Sequence, residues 1–256
     1  MMLSALYRKI KRLLSDPPKI LPQLFVHGYN ALFVSRAILP SVDFQPLDEI
    51  IKKSERNSDI KDHLVRIFRE ALSARPKLIV ELGVRGGEST FVFERAARLI
   101  DARLISLDLK DRTKIISWDK WLFVKGDDIE FAGQFVRYCR EHNIQPSIDV
   151  LFIDTSHFYE HTKLEIQHWF PLLSDTAKVM FHDTNLRRMY RRRDGSLVVG
   201  WDNKRGVIRA IEEYLGAHFD ETREFTDFKK NFLVTHVPYC NGFTILEKIS
   251  VQHRNG

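Results

Sequence analysis

The segment Leu78-Ile79-Val80-Glu81-Leu82-Gly83-Val84-Arg85-Gly86-Gly87-Glu88-Ser89-Thr90 decides how this chain is read. A short apolar run ends in a carboxylate, a glycine loop follows, and a helical pattern begins at Ser89. Glycines let a backbone approach a ligand closely, and Ser89 or Thr90 is placed to cap the helix. Dinucleotide sites favour G-x-G-x-x-G, with a pyrophosphate on the helix N-terminus. Here the spacing is Glu81-x-Gly83-x-x-x-Gly87, with Gly86 beside Gly87. A carboxylate at Glu81 repels a pyrophosphate but suits the amino group of a cationic ligand.

Working outward, apolar runs alternate with helical periodicity. A helix is expected over Asp59–Ser73, then strand 78–80 and a helix over Ser89–Ile100. Leu104–Leu107 and Trp121–Val124 read as the second and third strands. A helix over Glu130–His142 leads to the fourth strand, Ile148–Ile153. The helix Tyr159–Leu173 leads to a fifth, Lys178–Phe181. Uniformly apolar strands alternating with helices indicate a parallel sheet covered on both faces. After a helix over Gly206–Phe219, two strands at Asn231–His236 and Phe243–Glu247 flank a short turn and form an antiparallel pair closing the sheet.

Two further carboxylates stand at strand ends. Asp108 ends the second strand, where an acid can bind both ribose hydroxyls. Asp127, in Gly126-Asp127-Asp128 after the third, is placed to accept from an adenine amino group. The competing reading makes both of them turn residues. With all three acids in register, the run resembles the class I S-adenosylmethionine-dependent methyltransferases. That resemblance implies a Rossmann-like, doubly wound, mostly parallel α/β sheet of seven strands. It also implies that Glu81, Gly83, Gly86, Gly87 and Ser89 meet the methionine part of the cofactor, Asp108 the ribose and Asp127 the adenine.

The fourth strand runs into Asp154-Thr155-Ser156-His157 and the fifth into His182-Asp183-Thr184-Asn185. Ligands of parallel sheets bind beyond these carboxyl ends, so Asp154 and Asp183 should face one another there. Paired carboxylates suit Mg²⁺, and an imidazole at His157 can take a proton from a hydroxyl. Residues 76–185 resemble a narrower group, the cephalosporin-hydroxylase-like and macrolide-sugar O-methyltransferases. The resemblance implies Asp154, His182 and Asp183 as metal ligands, Asp154 also beside the cofactor, and His157 as base. This chain departs from the group at His182, where relatives carry a carboxylate, and histidine suits magnesium less well.

The expected activity is methyl transfer from S-adenosylmethionine to a hydroxyl of a sugar or small metabolite. A nicotinamide-dependent oxidoreductase and a basic nucleic-acid binder are the alternatives; the missing G-x-G-x-x-G counts against the first, and the lack of a recognised binding module against the second.

The 256 residues suit one α/β domain over 59–256, with 1–58 as a helical arm or cap. Residues 1–15 form an amphipathic basic pattern, read as a helix packed on its own domain or on a second copy, with a membrane surface as the alternative. An arm of this kind favours a homo-oligomer. The net charge of +6 is explained by solubility alone. Arg187, Arg188, Arg191, Arg192 and Arg193 read as a solvated loop overhanging the acceptor pocket, with anion binding as the alternative. Trp169 reads as packing, and Trp201–Gly206 as a loop that alternatively lines the acceptor site. His142, His161 and His168 are given no partners. Two cysteines, no spanning apolar run and no signal-peptide pattern point to the cytoplasm.

Overall fold

The computed structural model describes residues 20–33 and 44–250. The expected helix over 1–15 lies outside them. Among the described residues ten strands run in chain order: β1 Leu78–Leu82, β2 Arg103–Asp108, β3 Trp121–Lys125, β4 Ile148–Ile153, β5 Leu173–His182, β6 Met189–Arg191, β7 Leu197–Val199, β8 Phe225–Lys229, β9 Phe232–Val237 and β10 Phe243–Lys248. The helices are α1 Ile20–Phe33, α2 Gln45–Ser54, α3 Leu64–Ala74, α4 Glu88–Ile100, α5 Asp128–Ala132, α6 Phe135–Glu141, α7 Tyr159–Trp169 and α8 Gly206–Leu215.

The main sheet has eight strands in the order β3-β2-β1-β4-β5-β10-β9-β8. β3, β2, β1, β4 and β5 are parallel, and β10, β9 and β8 close the sheet antiparallel. The expected antiparallel closing pair is therefore present. The expected count of seven is corrected to eight by β8. Its sequence Phe-Thr-Asp-Phe-Lys alternates exposure instead of forming an apolar run, as an edge strand does. Asp227 and Lys229 also charge the free edge, which discourages pairing with another chain.

Side chains alternate across the sheet with period two. Leu78, Val80 and Leu82 face a layer containing Phe131, Phe135, Ile166, Trp169 and Ile211 from α5, α6, α7 and α8. Ile79 faces the opposite layer, built from Ile67, Phe68, Val92, Phe93 and Ala96 of α3 and α4. Trp169 is fully buried against Phe131 and Phe135, so it is packing, as its spacing indicates. The expected helix 130–142 is broken between α5 and α6 at Gly133-Gln134.

Among the arm's described residues Ile20–Phe33 and Gln45–Ser54 are helical, and α2 packs on α3. α1 lies against the small β6–β7 hairpin, which carries part of the arginine cluster. The Asn30 amide donates to the Leu197 carbonyl at 2.7 Å and accepts from the Leu197 N–H at 2.7 Å, acting as one more strand residue. No helix among the described residues is long and apolar enough to cross a membrane.

Candidate active site

The order of the parallel strands reverses direction between β1 and β4, and sheets of this kind bind ligands beyond the strand ends at such a switch point. The glycine loop lies there. Gly83 has φ +91°, and a Cβ on it would stand 2.1 Å from the Asp154 carbonyl oxygen. The loop therefore passes directly over the end of β4, which only glycine permits. Gly87 has φ +81° and is itself the N-cap of α4. Ser89 and Thr90 are not caps, contrary to the sequence expectation. They lie inside the first turn with their hydroxyls turned inward.

Both hydroxyls meet Glu81. Its buried carboxylate accepts from Ser89 Oγ at 2.6 Å, Thr90 Oγ1 at 2.9 Å and Ser106 Oγ at 2.7 Å. Burial raises the Glu81 pKa from 4.5 to about 7, against the pull of those three donors. Glu81 is thus fully buried and engaged by hydroxyls; it ties β1, β2 and α4 together beneath the loop.

Asp108 and Asp127 stand at adjacent strand ends. Asp108 accepts from the Arg85 and Lys110 N–H groups, both at 2.8 Å, and from Arg112 Nε at 3.3 Å. Burial opposes ionisation, but these donors and the Arg112 charge outweigh it and hold its pKa below the ordinary carboxylate range. Asp108 is therefore an anion, its side chain largely buried at the loop's rim. Asp127 caps α5 with one oxygen, accepting from Ile129 and Glu130 N–H at 2.9 and 3.0 Å. The turn reading of Asp127 is thus realised, and its second oxygen is left to other partners.

β4 and β5 deliver four titratable groups to one place. His157 Nδ1 lies 3.1 Å from Asp183 Oδ2 and 3.9 Å from Asp154 Oδ1. His182 Nδ1 lies 3.2 Å from Asp154 Oδ1 and 3.4 Å from Asp183 Oδ1, and its Nε2 lies 3.2 Å from the Cys240 carbonyl. Burial would lower the His182 pKa, but the charges of Asp183 and Asp154 carry it well above 6.5. Asp183 is held low, because the positive charge of His182 overcomes its burial. His157 and Asp183 both have left-handed backbones, φ 61° and 58°, an arrangement that surrounding packing must hold in place.

The segment Trp201–Gly206, read as a loop with lining of the acceptor site as the alternative, stands beside this centre together with Phe158, which sequence reasoning did not single out. The Trp201 ring centre is 5.9 Å from that of His157 and 5.6 Å from that of Phe158, and both aromatic side chains are exposed. Asn203 Nδ2 donates to the Asp183 carbonyl at 3.1 Å, anchoring the Trp201 loop. The start of α8 packs so tightly that a Cβ on Gly206 would stand 2.4 Å from the His157 carbonyl. Arg187, Arg188, Arg191 and Arg193 are exposed, as the solvated reading expects, but the segment is a hairpin and several of its arginines have partners. Arg187 pairs with Glu221 at 3.1 Å, Arg191 donates to Tyr29, and Arg192 binds the Asn57 amide oxygen. A cleft of about 380 Å³ between hairpin and glycine loop is lined by Ser58, Asp59, Arg85, Tyr190 and Arg192.

Comparisons with known proteins agree with this arrangement. Residues 80–184 match the family described as a methyltransferase domain. An uncharacterized protein, y4gI, from Sinorhizobium fredii is 31% identical over 138 residues; the match covers 44% of this chain and spans only 14% of that protein's length. Among solved structures, the O-methyltransferase TomG of Streptomyces achromogenes, involved in tomaymycin synthesis and in complex with SAM, shares the fold at TM-score 0.51 and 14% identity, over 88% of this chain and 96% of that one. The MycE methyltransferase of mycinamycin biosynthesis, in complex with Mg, SAH and mycinamycin VI, does so at TM-score 0.52 and 18% identity, over 81% of this chain and 54% of that one. The segment 80–184, which holds the glycine loop and the strand-end carboxylates, is thus similar to a methyltransferase domain, and the chain shares the fold of solved S-adenosylmethionine-dependent methyltransferases.

Proposed function

We propose that the chain methylates a hydroxyl oxygen of a small-molecule acceptor, with His157 as the general base. The observation that carries this reading is the 3.1 Å pair between His157 Nδ1 and Asp183 Oδ2 beside the glycine loop. Asp183, held as an anion, stands at ion-pair distance from Nδ1 and favours the proton there, so that Nε2 is the nitrogen that takes a proton from the acceptor. Asp154 and His182 flank the pair and balance its charge.

The residues present fit S-adenosylmethionine. A loop without Cβ atoms at Gly83, Gly86 and Gly87 admits a close backbone contact. Asp108 is then the ribose residue and Asp127 the adenine residue, with Asp154 nearest the methionine amino group. Bound there, the cofactor supplies an electrophilic methyl on a sulfonium. The chain's own task is to deprotonate the acceptor hydroxyl and align it.

Mg²⁺ does not fit the Asp154, His182 and Asp183 set. Magnesium takes oxygen ligands in octahedral geometry and keeps several waters. Here the central donor is a buried imidazole fixed by the Cys240 carbonyl, and an Asp183 oxygen already serves His157. The protonated His182 supplies the positive charge between the carboxylates, and no step is routed through a metal.

The exposed rings of Trp201 and Phe158 beside His157 support an acceptor with a flat apolar face, such as a sugar or an aromatic ring. Isothermal titration with S-adenosylhomocysteine tests the cofactor assignment: binding that weakens in Asp108→Ala is expected. A folded wild type with no affinity, or with affinity for NADH instead, would overturn it.

A further inference from the structure

The mechanism above leaves one cluster of metal-ligating side chains unused. Asp128, His161 and Glu165 bring one ligand atom each within 4.8 Å of one another. Asp128 opens α5, while His161 and Glu165 lie one turn apart on α7 and so share a face. His161 Nε2 is 3.1 Å from Asp128 Oδ1 and 3.7 Å from Glu165 Oε1. Thr155 Oγ1 donates to Glu165 Oε1 at 2.6 Å.

A second observation points to an occupant. Asp128 Oδ2 and Glu165 Oε2 are both buried without any hydrogen-bond partner, in side chains that are 10% and 0% exposed. His161, whose pKa its hydrogen bond to Asp128 raises to about 9, answers one oxygen of each carboxylate; the other two buried oxygens stay unanswered and call for a further positive charge. A proton shared by the pair meets that demand partly. Burial, and then the charge of Asp128, push the Glu165 carboxyl up accordingly. A divalent ion meets it fully, and His161, which is 26% exposed, stands at the way in.

We propose that Asp128, His161 and Glu165 form a binding site for a zinc-type divalent cation. One imidazole nitrogen and two carboxylate oxygens are a donor set that zinc accepts, with a water completing a tetrahedron. Magnesium, which favours oxygen alone, is discriminated against by His161. The site is distinct from the His157–Asp183 centre, and its role is structural. It joins the start of α5, next to Asp127, to α7, and through Thr155 it reaches the loop between Asp154 and His157. The inference stands independently of the methyl-transfer reading.

The test uses full-length protein without an oligohistidine tag, stripped with a chelator and titrated with Zn²⁺ against a chromophoric competitor. One equivalent should bind, and the melting temperature should rise by about 5–10 °C at 100-fold excess over Kd. Both effects should vanish in His161→Ala and in His161→Gln, which keeps a donor toward Asp128 should the alanine variant fail to fold, and persist in Asp154→Asn. Equimolar Mg²⁺ should do neither. Co²⁺ in place of Zn²⁺ should give the visible absorption of a tetrahedral site, absent in His161→Ala. The proposal is overturned by a wild type that binds no zinc, by binding that survives His161→Ala, or by binding lost in Asp154→Asn.

Discussion

His157 and Asp183 face one another at 3.1 Å although their backbones both enter the left-handed region. The two strand ends thus present a histidine–carboxylate dyad. With His157 as base, His157→Ala should lower kcat by about 10²–10⁴-fold while leaving S-adenosylhomocysteine affinity within a few-fold. Steady-state kinetics on the acceptor and a binding titration check this together. Full activity in the variant removes His157 from the mechanism.

Asp183→Asn keeps the shape but loses the charge. The amide can donate to Nδ1 and favour the wrong imidazole tautomer, so kcat should fall by about 10²-fold or more. The same change removes a carboxylate that keeps His182 protonated. A shift of the His182 ring signals in NMR pH titrations toward a lower pKa would accompany it.

Stability should decline as pH rises, in two windows. Glu81 binds its proton more tightly folded than unfolded, so its contribution is complete below pH 4.5 and is lost between 4.5 and about 7. Glu81→Gln should flatten that window and recover roughly 3 kcal/mol above pH 7. The raised His182 contributes stability that is complete below pH 6.5 and lost as pH climbs through its folded value. Urea unfolding of wild type and Glu81→Gln at pH 5, 7 and 9 separates the two.

Gly83→Ala should cost about 3 kcal/mol or more, because its Cβ would meet backbone oxygen at a positive φ. Cofactor affinity should fall with it. Gly126→Ala, where nothing lies within 4 Å, should stay within about 0.5 kcal/mol. Thermal melts of the pair provide the comparison.

Arg205 holds the entry to α8 through Glu221 at 3.0 Å and Glu212 at 2.8 Å, both buried. Arg205→Met removes the cation shared by both carboxylates, leaving Glu221 to Arg187 and Glu212 to His218, and should cost roughly 1–3 kcal/mol, discounted because Arg205 is over a third exposed. Since this loop carries Trp201, KM for the acceptor should rise more than kcat falls.

The parallel strands were legible because buried strands are continuous apolar runs, and Ile148–Ile153 is found where the pattern puts it. β8 was not legible, since Asp227 and Lys229 interrupt it and only one face is buried. The β6–β7 hairpin was hidden by its arginines, whose partners Tyr29, Asn57 and Glu221 are remote in sequence. Asp154, His157 and Asp183 were readable because strand ends in a parallel sheet converge. His161 seemed partnerless because Asp128 lies 33 residues away and only the packing of α5 on α7 joins them. Residue type alone also could not tell that Glu81 would turn inward to three hydroxyls.

The paired amide of Asn30 ties α1 to the hairpin beside the glycine loop through two hydrogen bonds. Any swing of the hairpin that lets a spent cofactor escape must carry α1 with it or break two hydrogen bonds. Turnover limited by product escape would then be governed by a residue that never meets the chemistry. Asn30→Ala should hasten S-adenosylhomocysteine dissociation in stopped-flow measurements without altering the single-turnover rate.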